Sequence, residues 1–290
     1  MLGRALLKDW SDSNSVVGTA RLGDGNLIAC DLSSKDQVKS LFLKQTFDLV
    51  VHTAAYSNVD GCERDPARAY QSNAVAVKNL AQACGQKNIP LIYISTDYVF
   101  DGQKKSPYKE TDRTFPVNIY GMTKLEGEYH AQKHARVSAV VRTSWLFGPG
   151  NPLNFVNYIL ARLKKEPAVA VLNDQKDSPT YVKDLAQALE NIGVRLTDLS
   201  KQKTKKTFSE VYHLCNSGVA TRYDMALNIK RSLRLKNTRV KLADPKSISG
   251  RLAVRPAYAA MSTSRYQKTF KSALRGWEEA LEEYVQGVFS

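Results

Sequence analysis

Cysteine is scarce in this chain: Cys30, Cys62, Cys84 and Cys215 are widely spaced and form no Cys-x-x-Cys pair. That excludes a zinc knuckle or a disulfide framework, and the four read as reduced thiols in cores or on helix faces. Histidine is equally thin. His52, His130, His134 and His213 are scattered, so no metal cluster is expected. No apolar run reaches about 18 residues, which excludes a membrane-spanning helix, and the chain does not open with a basic-then-apolar leader, so secretion is not expected. Internal repeats and low-complexity tracts are also missing, and a cytoplasmic protein is the simple expectation.

What is there is an ordinary globular composition over 290 residues, 43% hydrophobic and 24% charged, enough to bury a large core and too apolar for disorder. Lys and Arg number 42 against 28 Asp and Glu, a net charge of +14, which favours anionic partners. No nucleic-acid module accompanies that charge, and residues 200–207, SKQKTKKT, read as a solvated basic loop. A nucleotide ligand accounts for the excess equally well.

The chemistry concentrates in residues 94–102, ISTDYVFDG, and 119–128, IYGMTKLEGE. IPLIYI, residues 89–94, reads as a buried strand that delivers Ser95, Thr96 and Asp97 to its carboxyl end, where open α/β sheets hold their ligands. Tyr120 and Lys124 lie four residues apart at a helix start, on one helix face. A phenol with an ordinary pKa near ~10 is a weak acid-base catalyst at neutral pH, and an adjacent ammonium brings it toward the working range. A threonine hydroxyl, a tuned tyrosine and a lysine suit carbonyl reduction by hydride transfer. The spacing alone is unspecific, since Tyr129 and Lys133 repeat it with no strand-end hydroxyl nearby.

Elsewhere the pattern alternates strands and helices. MLGRALLKDW places Leu2, Leu6 and Trp10 at helical spacing. Strands are expected at 15–20, in NLIACDLSS, at 47–53, at 137–143 and at 211–215, and helices from Lys35, from Asp65-Pro66 to Gly85, over 154–165 and in TRYDMALNIKRSL. This predicts a Rossmann-type doubly wound parallel sheet with a small carboxyl-terminal substrate lobe. Residues 1–145 plus about 181–216 form the dinucleotide-binding domain, and about 146–180 plus 217–290 the substrate lobe. Such a fold begins with a strand and a glycine-rich turn, yet here the first element is already the helix. The first strand is therefore expected to be missing from the chain as given, its start lying inside a longer reading frame.

STDYVFDG, PYKETDRTFPVNIYGMTKLEGE, VVRTSWLFGPG and NDQKDSPT, taken in order, resemble the extended short-chain dehydrogenase/reductase family. Within it they are similar to the branch that reduces 4-keto-6-deoxy sugars carried on dTDP, from Leu2 to about residue 270. The resemblance implies Thr96, Tyr120 and Lys124 as catalytic residues and NADPH or NADH as cofactor, with Leu2, Gly3, Arg21, Asp31, Leu32, Ala54, Ala55, Tyr56, Asn73, Tyr120 and Lys124 around it. Gly3 matches the last glycine of the family's phosphate-binding turn; Arg21, past the second strand, points toward NADPH, although an exposed loop arginine is nearly as good a reading. Asn73 supports the active-site loop in the family, with a solvent-facing side chain as the equal alternative. Thr96, Asp97, Trp145 and Arg255 are implied at the substrate, Trp145 against the deoxysugar and Arg255 at a diphosphate. Tyr258 and Ala259 stand where the family has Asn and Ser, which leaves the sugar open. The expected product is the dTDP-linked 6-deoxyhexose, the partner a nucleotide-diphosphate sugar, with no metal, nucleic acid or membrane, and a monomeric or homodimeric enzyme. The same superfamily holds a non-catalytic reading, the regulatory subunit of methionine adenosyltransferase.

Overall fold

The computed structural model describes residues 1–23, 25–202, 207–244 and 250–288. The chain starts in helix α1, Leu2–Trp10, whose Leu2 and Leu6 are buried as their spacing predicts. Two short strands follow, β1 at Thr19–Ala20 and β2 at Ile28–Ala29, then α2 at Lys35–Lys44, capped by Ser34, whose hydroxyl accepts from the Gln37 amide. After β3, Val50–His52, come α3, Val59–Arg64, and α4, Pro66–Tyr70, which Asp65 and Pro66 start as expected. A single π turn, Gln71–Val75, interrupts the helical run before α5, Ala76–Lys87. Gly85 does not end α5: the helix runs two residues further and stops at Asn88 in the left-handed conformation, φ 56°. A Cβ on Gly85 would stand 2.1 Å from the His134 carbonyl oxygen, so this glycine serves close helix packing and not termination.

Strand β4 covers Leu91–Thr96, so Ser95 and Thr96 end the strand itself and Asp97 opens a short 3-10 turn, Asp97–Val99. Helix α6 is Ile119–His134, with the Asn118 side chain accepting from the Gly121 amide, and β5 is Val137–Thr143. The rest comprises β6 (Leu146–Phe147), α7 (Phe155–Lys165), β7 (Ala168–Val171), β8 (Thr180–Tyr181) and α8 (Val182–Lys201). Then come β9 (Phe208–His213), α9 (Arg222–Ser232), β10 (Arg239–Leu242), α10 (Ser264–Phe270) and α11 (Trp277–Gly287). The basic segment at 200–207 lies in part, at 203–206, outside the described residues.

The main sheet has parallel order β3-β4-β5-β9, and side chains alternate across it. Ile92 and Ile94 of β4 and Val137, Ala139 and Val141 of β5 face one core with α1, α7, α8, α9 and α11. Leu91, Tyr93 and Val140 face the other core, with α2 and α5. Helices therefore cover both faces, as a near-continuous apolar strand requires. Strand β1 pairs with β2 and not with β3, and the break falls where a doubly wound sheet would place one more strand. The expected strands at 15–20 and 47–53 shrink to Thr19–Ala20 and Val50–His52, since both flank that break and each lacks hydrogen bonds on one side. The strand expected at 211–215 sits earlier, at Phe208–His213, in register with β5. β6–β8 and β7–β10 form further parallel pairs.

Candidate active site

The loops after β3, β4 and β5 lie at one end of the sheet, because their strands are parallel and in register, Val50 with Leu91 and Thr96 with Thr143. At the end of β4, Thr96 is buried; its hydroxyl donates to Asp97 Oδ1 at 2.9 Å and accepts from the Tyr98 amide at 3.2 Å. The Thr96 hydroxyl is a neighbour of the Tyr120 phenol, close enough to draw its pKa down, while its own hydrogen bonds go to Asp97 and Tyr98. Gly121 permits this proximity: a Cβ there would come 2.1 Å from the Tyr98 carbonyl oxygen, so α6 starts hard against the turn that carries Thr96. Tyr98 meets Tyr120 edge-on, with ring centroids 5.7 Å apart. Burial, then the charge of Asp97, push the Tyr120 phenol above its ordinary value, so it holds its proton at neutral pH.

Lys124 is placed differently from expectation. Its ammonium donates to the Ile94 carbonyl at 2.7 Å and lies 4.2 Å from the Tyr93 ring centroid, so it rests on the strand behind the phenol and does not lower the phenol's pKa. The sequence spacing fixes a shared helix face but not the rotamer, and a buried amine takes the carbonyl within reach. Burial brings the Lys124 pKa down to about 7, against the upward pull of Glu128. Glu128 itself is buried and accepts from Arg142 and, at 2.5 Å, from Ser95. The second pair behaves as a surface feature: Lys133 Nζ donates to Tyr129 Oη at 2.6 Å, on a tyrosine half exposed to solvent.

On the β3 side, Ala54 and Ala55 are exposed and Tyr56 is partly buried under the Arg68 guanidinium. Asn73 is fully buried, which overturns the solvent-facing alternative. Its side chain accepts from the Tyr56 amide at 2.8 Å and donates to the Tyr56 carbonyl and Thr123 Oγ1, tying this loop to α6. The π turn aims it there. Gly3 lies against Thr53, where a Cβ would be 2.9 Å from the hydroxyl, whereas the Leu2 side chain is in the main core. Arg21 is exposed near Asp31, whose carboxylate accepts from Ser33. Asn79, which carries no local signal in its motif, donates to the Leu32 and Ser33 carbonyls and holds that loop.

On the other flank Trp145 has φ 40°, a strained conformation for a bulky residue, and its buried indole N–H has no partner among the described residues. Arg255 is bidentate on Asp60, at 2.9 and 2.6 Å. Asp60 also accepts from the Leu252 and Ala253 amides, and the Arg255 fork first, then these amides, hold its carboxyl far below the usual range. Asp97 shares its burial with Asp177, from the NDQKDSPT segment, and burial and that neighbouring charge push the Asp97 carboxyl well up. The pair therefore keeps a proton. Tyr258 and Ala259 flank this spot through Lys176, whose amide donates to Ala257 and whose carbonyl accepts from Ala259. No group of His, Cys, Asp and Glu suited to a metal exists among the described residues.

The RmlD substrate binding domain family matches residues 1–289. The chain belongs to the dTDP-4-dehydrorhamnose reductase family. It is 36% identical over 260 residues to the dTDP-4-dehydrorhamnose reductase of Mycolicibacterium smegmatis, covering 89% of this chain and 76% of that protein. It is 32% identical to a probable dTDP-4,6-dihydroxy-2-methyloxan-3-one 4-ketoreductase of Streptomyces antibioticus, covering 98% and 90%. Its fold is similar to the dTDP-4-dehydrorhamnose reductase of Bacillus anthracis solved in complex with NADP, with TM-score 0.84, 29% identity and coverage of 99% and 95%. The helices of the described residues include none long and apolar enough to cross a membrane. Asp60, Asp177 and Arg222 escaped sequence reasoning: Asp60 meets Arg255 across 195 positions, and only folding reveals such a pair.

Proposed function

We propose that this chain reduces dTDP-4-dehydrorhamnose to dTDP-L-rhamnose with NADPH or NADH, a step of nucleotide-sugar biosynthesis. The observation that carries the reading is the convergence of Thr96, at the carboxyl end of β4, and Tyr120, at the start of α6, held together by the Gly121 approach to Tyr98 and the Tyr98–Tyr120 ring contact, at the end of the sheet where parallel α/β folds bind. The cofactor fits the β3 side, where exposed Ala54 and Ala55 leave the backbone bare, Gly3 gives close approach and Arg21 offers a cation for a 2′-phosphate. When bound, the nicotinamide supplies the hydride to the sugar's carbonyl carbon. Thr96 and Tyr120 hold the keto oxygen, and Tyr120, loaded with its proton, passes it to the oxygen as negative charge develops there. An alkoxide is a stronger base than a phenolate, so the transfer is downhill even from a raised pKa. Lys124 binds the nicotinamide ribose from behind the phenol. Asp97 anchors the Thr96 hydroxyl, and Trp145 packs on the deoxysugar.

In this reading residues 1–145 with about 181–216 carry the dinucleotide and about 146–180 with 217–290 the sugar nucleotide. The four buried free thiols suit the reducing cytoplasm. The test is loss of NADPH absorbance on adding dTDP-4-dehydrorhamnose. Tyr120→Phe should cut turnover roughly 100-fold or more while cofactor affinity, followed by nucleotide fluorescence, holds. Undiminished turnover removes Tyr120 from its role; no oxidation by the parent protein makes the chain a binding protein of this fold.

A further inference from the structure

Two helix starts and one guanidinium meet beside Trp145. Phe155 is the first residue of α7 and Arg222 the first of α9. The Arg222 guanidinium lies 4.7 Å from the Trp145 ring centroid and 4.9 Å from that of Phe155. Ring contact of this kind fixes the plane of the cation and leaves its N–H edge for a ligand. Among the described residues that edge makes no hydrogen bond; of the carboxylates nearby, Asp177 is engaged by Asp97 and Asp174 by Arg251 through one oxygen, its other oxygen being buried without a partner among the described residues. The indole N–H of Trp145 is likewise unpartnered. Asn154 caps the start of α7 and Thr221 with Asp224 that of α9, so the guanidinium and the indole N–H are the donors left for an anion.

We propose that Arg222 binds the diphosphate of the nucleotide sugar; the inference rests on the reductase reading and deepens it. The position suits the length of the substrate. Tyr98 stands edge-on to Tyr120 and feels the Arg222 charge, so the cation lies about one side chain from the reacting group. Arg255 has its fork closed by Asp60 and supplies no free donor pair. Asp177 is the competing anion, and the proton it shares with Asp97 limits that pair's charge.

The test compares dTDP and thymidine by calorimetry on the full chain. Arg222→Met should weaken dTDP by roughly 10- to 100-fold, leave thymidine unchanged and raise the KM for the keto-sugar in parallel, with kcat little altered; Arg222→Lys should fall between. Unchanged dTDP affinity in Arg222→Met overturns the proposal, as does an equal loss for dTDP and thymidine, which would mean a disturbed fold. Failure of the parent protein to bind dTDP also overturns it. Arg222-dependent dTDP binding without any NADPH oxidation upholds the diphosphate site and sinks the reductase reading instead.

Discussion

At Lys124 a buried amine has traded water for one carbonyl, and the exchange has a pH signature. Its folded pKa of about 7 lies below the ordinary 10.5. Between those values the unfolded chain holds a proton the folded chain lacks, so this group makes stability rise with pH through that window, and below it the full penalty is present. Lys124→Met removes the titration. The stability of Lys124→Met relative to the parent, from denaturant melts, should therefore be greatest near pH 6 and shrink toward pH 10, about the span of the two values; a pH-independent difference would show that the amine is not buried this way. Asn73 is the other residue whose partners are decided by burial. Asn73→Ala strands the Tyr56 amide and carbonyl and should cost about 1–3 kcal/mol, read by the same melts.

Helix α6 owes its placement to contacts at both ends. At its start, Gly121 touches the Tyr98 carbonyl; Gly121→Ala forces the helix from the turn and should destabilise by about 1–3 kcal/mol. Turnover should fall further than stability alone explains, since the shift separates Tyr120 from Thr96. About two turns along the site face, the Glu128 carboxylate and Arg142 guanidinium, both nearly excluded from solvent, join α6 to β5 with bonds of 2.9 and 2.7 Å. Glu128→Gln leaves Arg142 buried with a weaker partner, and Glu128→Ala leaves it alone; the latter should cost about 3–5 kcal/mol in a chemical melt. A cost below 1 kcal/mol, on the order of an exposed pair, would mean that water reaches it.

Across the whole molecule the sheet is uneven. β4 and β5 pair over six residues between covered faces, whereas β1 and β2 share two register positions. Amide exchange in Thr19–Ala20 and Ile28–Ala29 should therefore be fast, and in Leu91–Thr96 slow and close to the global limit; equal protection would indicate one cooperative sheet. The alternation of strands and helices, the placement of Tyr120 and Lys124 on one helix, the parallel α/β class and the helix from Leu2 were legible, because periodicity and capping are local, whereas the bounds of the strands at 15–20, 47–53 and 211–215 were not. Gly85 was misread for the same reason: its partner, the His134 carbonyl, lies 49 positions away, the difference of 134 and 85.

The sequence by itself determined which elements form and which residue types stand at strand ends, since backbone sterics and the period of apolar side chains act between near neighbours. Only the tertiary structure decided that Lys124 turns to Ile94, that Asp60 closes Arg255, that Asp97 meets Asp177, and that Arg222 lies between two rings. Charges and donors find partners by desolvation and distance in three dimensions, and no spacing along the chain encodes either.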